Sequence, residues 1–205
     1  SPPDTVSAII SNSDDYYRHQ KNYTNFKTSQ ANRRGIILAG SNAGMLHAFD
    51  VITGEEIWSF IPPSMLSKLR RVVSSTANQT NAIYGVDGSP LVKDIYYDNS
   101  WKTVAITGLG KGGNSYFALD ITDTENPKHL FTVLNDPVRK KVYYWAANGF
   151  KTIHDYNSGS IDENYDYRKL GEAWSTPRII RIKVGENDKW VAVFGAGFNN
   201  NVSSD

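Results

Sequence analysis

The sequence predicts an all-β fold, a β-propeller of four-stranded antiparallel blades with long loop insertions, of which residues 1–205 supply only a part. Three observations point there: an internal repeat, a small-residue strand ended by glycine in each copy, and turn chemistry spaced for short strands. Residues 89–114 lie over residues 176–201 without a gap, at a constant offset of 87. Pro90 meets Pro177, Ile95 meets Ile182, Lys102 meets Lys189 and Val104-Ala105 meet Val191-Ala192. Gly108, Gly110 and Asn114 then meet Gly195, Gly197 and Asn201. Pro2 marks a third start, and the glycine-ended strand recurs as Ile37, Leu38, Ala39 and Gly40.

One unit is readable in full over 89–134. Leu91, Val92 and Ile95 follow a proline, which is tolerated at the first residue of a strand. Asp98 and Asn99 predict a tight hairpin into Lys102–Thr107, and the glycines at 108, 110, 112 and 113 turn the chain again. Tyr116–Ile121 and Lys128–Val133 complete four strands. Unit one, about 1–61, shows Ile36–Ala39, Met45–Val51 and Glu56–Ile61; unit three, 174–205, is incomplete after Val191–Phe194. Small residues (Ala39, Ala105, Ala192 and the glycines after them) suit strands where blades taper towards an axis, and the aromatics suit the faces on which blades pack. Three insertions separate the units. Residues 4–34 are polar and tyrosine-rich. Residues 62–85 begin with Pro62, Pro63 and Ser64, a helix start, followed by Met65, Leu66, Leu69, Val72 and Val73 at helical spacing. Residues 135–173 read as a long loop with one hairpin. Two and a half units fall short of the about four to eight blades a propeller needs, so the expectation is a piece of a larger propeller.

Composition narrows function by exclusion. Lys and Arg number 22 against 21 Asp and Glu, a balance that argues against non-specific nucleic-acid binding. Cysteine is absent, which removes disulfides, thiolate metal sites and cysteine nucleophiles. No run approaches the ~20 apolar residues of a membrane-spanning helix. The opening Ser1, Pro2, Pro3 and Asp4 contain neither an initiator Met nor a signal pattern, which suggests an internal or processed piece.

No catalytic constellation is sharp. The histidines His19, His47, His129 and His154 lack metal-ligand spacing, and His47 alternates with Leu46 and Ala48 as a packed strand residue does. Gly108–Gly113 joins two strands rather than a strand and a helix, so it is a turn rather than a phosphate cradle. Asp155 to Asp166 alternates Asp and Asn around Gly159, but its glycine falls at the fifth place and Asp166 replaces the terminal Glu of a calcium loop. A solvated acidic loop is the better reading, as a solvated face is for Lys68, Arg70 and Arg71. Asn22–Thr24 and Asn78–Thr80 match the glycosylation sequon, a weak signal.

The segment from Ile37 to Ser64, with Gly44, His47, Ala48, Phe49, Asp50, Thr53, Gly54, Trp58 and Phe60, resembles first the repeat of quinoprotein-type propellers. As a whole it is more similar to the type IV pilus biogenesis and tip-adhesin family, the PilC/PilY group. Val86–Pro90, Gly108–Asp123 and Trp190–Phe198 match that family in order, so the resemblance covers most of 35–200. It implies an exported Gram-negative protein at the cell surface or pilus tip. Pilus assembly, twitching motility and adhesion would follow through contacts with minor pilins or a host surface ligand. It also implies no enzyme activity; family members carry a calcium loop of closely spaced aspartates later in the propeller, but no segment of residues 1–205 matches it, so no cofactor is expected here. The alternatives are a quinoprotein dehydrogenase, disfavoured by the missing vicinal cysteines, and an outer-membrane assembly scaffold. The insertions carry much of the aromatic surplus: Tyr16, Tyr17, Tyr23 and Phe26 in the first, and Tyr143, Tyr144, Trp145, Tyr156, Tyr165 and Tyr167 in the third. The latter six are the candidate interaction residues, because Tyr and Trp bury large areas at low entropic cost. About half of all these rings are expected merely to pack the insertions down.

Overall fold

A computed structural model describes residues 13–72, 84–158 and 161–198. Pro2, Val73, the Asn78–Thr80 sequon, Gly159 and Asn201 lie outside the described residues. Three antiparallel sheets stack side by side. The first holds β1 (Ile36–Gly40), β2 (Leu46–Asp50) and β3 (Glu56–Phe60). The second is a six-stranded meander: β4 (Leu91–Tyr97), β5 (Ser100–Gly108), β6 (Ser115–Asp120), β7 (Lys128–Asp136), β8 (Lys141–Ala146) and β9 (Lys151–Asp155). The third pairs β10 (Arg178–Val184) with β11 (Asn187–Val193).

Local chemistry sets these elements. Asp98 and Asn99 both take positive φ, 51° and 57°, the type I′ geometry that joins two strands by two residues and matches their twist. Between β2 and β3, the Asp50 carboxylate accepts hydrogen bonds from the Ile52 and Thr53 amides at 2.7 and 2.8 Å. Arg34 Nε donates to the same carboxylate. That guanidinium, helped by the two amides, holds the Asp50 pKa at about 2, below its ordinary 3.8. A carboxyl depressed on folding contributes stability fully above its unfolded pKa and loses it as pH falls towards the folded value. Asp50→Asn is therefore expected to melt earlier than the wild type at pH 7. The gap should close between about pH 4 and pH 2; a gap unchanged across that window in thermal melts would contradict the assignment.

The stack explains why β5 and β6 are buried on both faces. Ala105, Phe117 and Leu119 look towards the first sheet and pack with Leu46, Met65 and Val86, against Trp58 and Phe60. On the opposite face Val104, Ile106 and Ala118 pack with Ile179, against Trp190 and Ala192 of the third sheet. Polar ties fix the first contact: Trp58 Nε1 donates to the Thr124 carbonyl at 2.8 Å, and Thr124 Oγ1 to the Arg34 carbonyl at 2.8 Å.

The glycine-ended strands meet the next unit in the same way. A Cβ on Gly40 would lie 2.3 Å from the Val86 carbonyl oxygen, and one on Gly108 would lie 2.5 Å from that of Ala173. Val86 and Ala173 are themselves related by the repeat offset. Both precede the proline that opens the next unit's strand, at Pro90 and Pro177. Glycine is needed there because the backbone of one unit touches the backbone of the next.

Three insertions differ from the sequence expectation. Residues 135–173 are not a loop with a separate hairpin: β7 runs on to Asp136, and β8 and β9 pair onto it in register, Leu134 opposite Tyr143 and Tyr143 opposite Ile153. The four strands read from 89–134 are thus followed by two more in the same sheet. The reason is chemical. Lys141–Ala146 is a run of β-branched and aromatic residues, which favour a pleated, half-buried surface, and Asn148-Gly149 supplies the turn.

Residues 4–34, expected as a loop, contain two helices, α1 (Asp14–Gln20) and α2 (Tyr23–Ser29). Ser13 Oγ caps α1 by accepting the Tyr16 amide at 3.1 Å; Asp14 and Asp15 sit in its first turn and Arg18 and His19 in its last, each sign where the helix dipole favours it. Neither helix shows a long apolar stripe, which is why periodicity missed them. The helix expected from Ser64 is a 3₁₀ turn, Pro63–Met65, and one helical turn, α3 (Leu69–Val72). No helix among the described residues is long and apolar enough to cross a membrane.

Candidate interaction surface

The six candidate aromatics do not form one patch, because the pleat of β8 sends them to opposite faces of the second sheet. Val142, Tyr144 and Ala146 share one face; Tyr143 and Trp145 share the other. On the first of these, Tyr144 meets Tyr165 edge-on at 5.1 Å between centroids and lies parallel to Phe131 at 6.4 Å. Tyr165 in turn stacks on His154. Tyr156 donates its hydroxyl to Asn135 Oδ1, while Asn135 Nδ2 donates to the Arg168 and Leu170 carbonyls at 2.9 and 2.8 Å. Asn135, 1% exposed, thereby has both its amide nitrogen and oxygen paired, and it ties Tyr156, Arg168 and Leu170 to β7. Tyr167 and Tyr156 pack beside Tyr116, Val133 and Val142. Burial pushes the Tyr144, Tyr156 and Tyr167 hydroxyls above the ordinary phenol value. These four rings hold the third insertion on its blade.

Tyr143 and Trp145 face the other way, into a groove of about 330 Å³. Pro63, Leu66 and Ser67 form one wall; Tyr143, Trp145 and Lys151 form the other. The two rings lie 5.8 Å apart at 23°, a shelf of nearly parallel planes, with Lys151 Nζ 4.6 Å from one ring centroid and 5.4 Å from the other. Asp136 and Arg139 close one end, paired at 2.8 Å. Burial works to raise the Asp136 pKa, but the Arg139 amide and guanidinium outweigh it, and it lies below the usual carboxylate value. The groove therefore offers an apolar floor, one paired carboxylate and a cation resting on aromatic faces. Such a lining suits contact with a protein segment.

A larger cleft, about 940 Å³, lies between the second and third sheets under α1, lined by Tyr17, Tyr96, Phe131, Tyr144 and Trp190 among others. Its residues come from five separate stretches of chain, and only their aromatic character was visible beforehand.

The remaining sequence candidates are engaged locally. Ser41 Oγ lies 2.9 Å from His47 Nε2, and His47 Nδ1 lies 2.8 Å from Glu56 Oε2. This chain of contacts joins the first turn of the first sheet to β3, and it lines neither the groove nor the cleft. Asp155 Oδ1 accepts the Asn157 amide at 2.9 Å, and Asp162 Oδ1 accepts the Asn164 amide at 2.9 Å. Both Asp166 oxygens take Arg168, at 2.8 and 2.7 Å, and this pairing holds the Asp166 pKa at about 2. Lys68 of the basic trio donates to the Gly112 carbonyl and so braces the glycine turn.

The fold of stacked antiparallel sheets has counterparts among known proteins. A family model, the PilY1 beta-propeller domain, matches residues 5–205. The chain belongs to this family. The type IV pilus biogenesis factor PilY1 of Pseudomonas aeruginosa strain UCBPP-PA14 is 31% identical over 176 residues, 86% of this chain and 12% of the relative. A PilY1 homolog of Xylella fastidiosa strain Temecula1 is 41% identical over 110 residues, 53% of this chain and 9% of the relative. The crystal structure of the P. aeruginosa PilY1 C-terminal domain superposes with a TM-score of 0.56 at 30% identity, covering 86% of this chain and 27% of that one. The chain thus corresponds to part of a β-propeller domain and spans about an eighth of the P. aeruginosa relatives it matches. The family ties it to type IV pilus biogenesis.

Proposed function

We propose that this chain is a non-enzymatic propeller segment of an exported pilus-tip biogenesis factor. In this reading it supports assembly of the type IV pilus, twitching motility and surface adhesion through protein–protein contacts, with minor pilins or the pilus-tip complex as partners and a host surface ligand as a further one. Family membership supports the pilus setting. The observation that carries contact as the mode of action is the Tyr143–Trp145 shelf. Two large rings on a strand, half-buried and opposite the wall of Pro63 and Leu66, have the composition of an interface centre.

The test is genetic. Deleting the gene in its own bacterium is expected to reduce surface pili and abolish twitching, with restoration by the wild-type gene in trans. Normal piliation and motility in the deletion strain would overturn the assignment. Removing residues 143–167 is a poor probe, because it takes away β9 and most of β8 and exposes Val142 and Asn135, which are 0% and 1% exposed. Point substitutions at the two shelf rings leave that core in place.

A further inference from the structure

The outer strand of the second sheet carries a feature that the shelf alone does not explain. The Ala146 amide donates to the Phe150 carbonyl and the Tyr156 amide to the Lys140 carbonyl, each at 2.9 Å. In an antiparallel pair the bonded positions alternate, so Thr152 and His154 turn their backbone groups towards β8. Lys151, Ile153 and Asp155 therefore point theirs away from the sheet. β9 is the last strand in the six-stranded order, so no strand pairs with that edge among the described residues. Among the described residues, of the outward groups only the Asp155 carbonyl is engaged, by the Ser158 amide at 3.1 Å and hydroxyl at 2.6 Å.

Three of the other open edges have an explanation within the repeat; the outer edges of β4 and β10, which share one repeat position, do not. Those of β1, β3 and β11 correspond to positions that the second unit fills with β4, β8 and β6. β9 has no such counterpart and lies at the opposite end of its sheet from β4. Open edges in natural proteins are usually blunted by shortness, by charged side chains (lysine above all), by proline, by a bulge or by a covering element. β9 is five residues long and carries Lys151, but it has neither proline nor bulge, and Ile153 at its centre is 50% exposed, with Phe150, 67% exposed, in the turn before it. Its side chains on the shelf face read Lys151, Ile153, Asp155. Among the described residues Lys151 has no carboxylate partner and Asp155 no cationic one.

We propose that the free edge of β9 is a strand-docking site, and that its occupant is an extended segment of a partner protein. That segment runs antiparallel to β9, with a basic, an apolar and an acidic side chain at alternate positions, opposite Asp155, Ile153 and Lys151. Main-chain bonds to the edge supply the grip and the alternating side chains the selectivity, as in other cases of strand addition. The added strand extends the wall of the groove beside Tyr143 and Trp145. The inference rests on the contact reading above and names the geometry of that contact.

The test uses the 205-residue chain, isotope-labelled, and a capped peptide Thr-Lys-Thr-Val-Thr-Glu-Thr titrated by NMR to millimolar concentration. Saturable amide shifts at Lys151, Ile153 and Asp155, with slowed hydrogen exchange there, are expected. Ile153→Pro removes one outward N–H and no bond to β8, so it should weaken binding at least tenfold while signals from β4 to β7 stay in place. Lys151→Glu with Asp155→Lys leaves the backbone whole. It should weaken binding at least fivefold, and a peptide with its Lys and Glu exchanged should restore it. No shift change at the three residues, changes confined elsewhere, or undiminished binding by Ile153→Pro would overturn the proposal. Peptide binding by a chain whose gene proves dispensable for pili would sink the pilus reading and leave the edge site standing.

Discussion

Replacing Phe117 by alanine is expected to cost the fold about 3–5 kcal/mol, among the largest effects a single truncation can have. Phe117 is 1% exposed, in the middle of β6, and its ring lies 5.7 Å from that of Phe60 across the contact between the first two sheets. Its loss removes apolar burial and leaves a void that the facing backbones, held by the ladder, cannot close. For a chain of this size the melting temperature should fall by roughly 10 °C, given a few degrees per kcal/mol. Denaturant unfolding of the purified chain measures it. A loss under about 1 kcal/mol would mean that the two sheets do not pack as described.

Tyr17→Ala should cost a comparable amount, about 3–5 kcal/mol if the site cannot collapse. Tyr17, 6% exposed, is the buried residue of α1, and it meets Tyr96, Trp101 and Trp190 edge-on at 6.1 to 6.4 Å. The Arg181 guanidinium lies 4.4 Å from its ring centroid and also pairs with Asp14 and Asp188. One side chain thus links the first insertion to the second and third sheets. The variant should lose near-ultraviolet circular dichroism from the Trp101 and Trp190 surroundings and admit protease at 14–29. Unchanged spectra and protection would show that the helices are not anchored through Tyr17.

The parts of the fold that follow from backbone chemistry were legible in the sequence. Pro90 and Pro177 precede β4 and β10 and Asp98-Asn99 forms the tight hairpin, because proline and Asx turns act within a few residues, while Gly40 and Gly108, where units touch, were marked by their recurrence in the repeat. What was not legible depends on partners distant in sequence. Lys141–Ala146 reads as aromatic surplus until β7 is seen to offer it an edge. The helices at 14–29 are too short for a periodic signal, and their anchors, Trp101 and Arg181, lie far along the chain. The same limit governs the candidate site. Composition singled out Tyr143, Tyr144, Trp145, Tyr156, Tyr165 and Tyr167 together. Only the register of β8 separates the two rings on the groove from the four that hold the insertion down. The free edge of β9 left no trace in residue type, since it is a property of pairing.

The central claim, that this domain serves pilus biogenesis by contact through the outer strands of its six-stranded sheet, is tested most directly by counting surface pili in a strain carrying Tyr143→Ser with Trp145→Ser in the otherwise intact parent protein. Both rings are only half-buried, so the protein should be exported at its normal level and keep its fold. The account predicts several-fold fewer pili and a reduced twitching zone at equal protein abundance. Wild-type pili and motility at that abundance would contradict it.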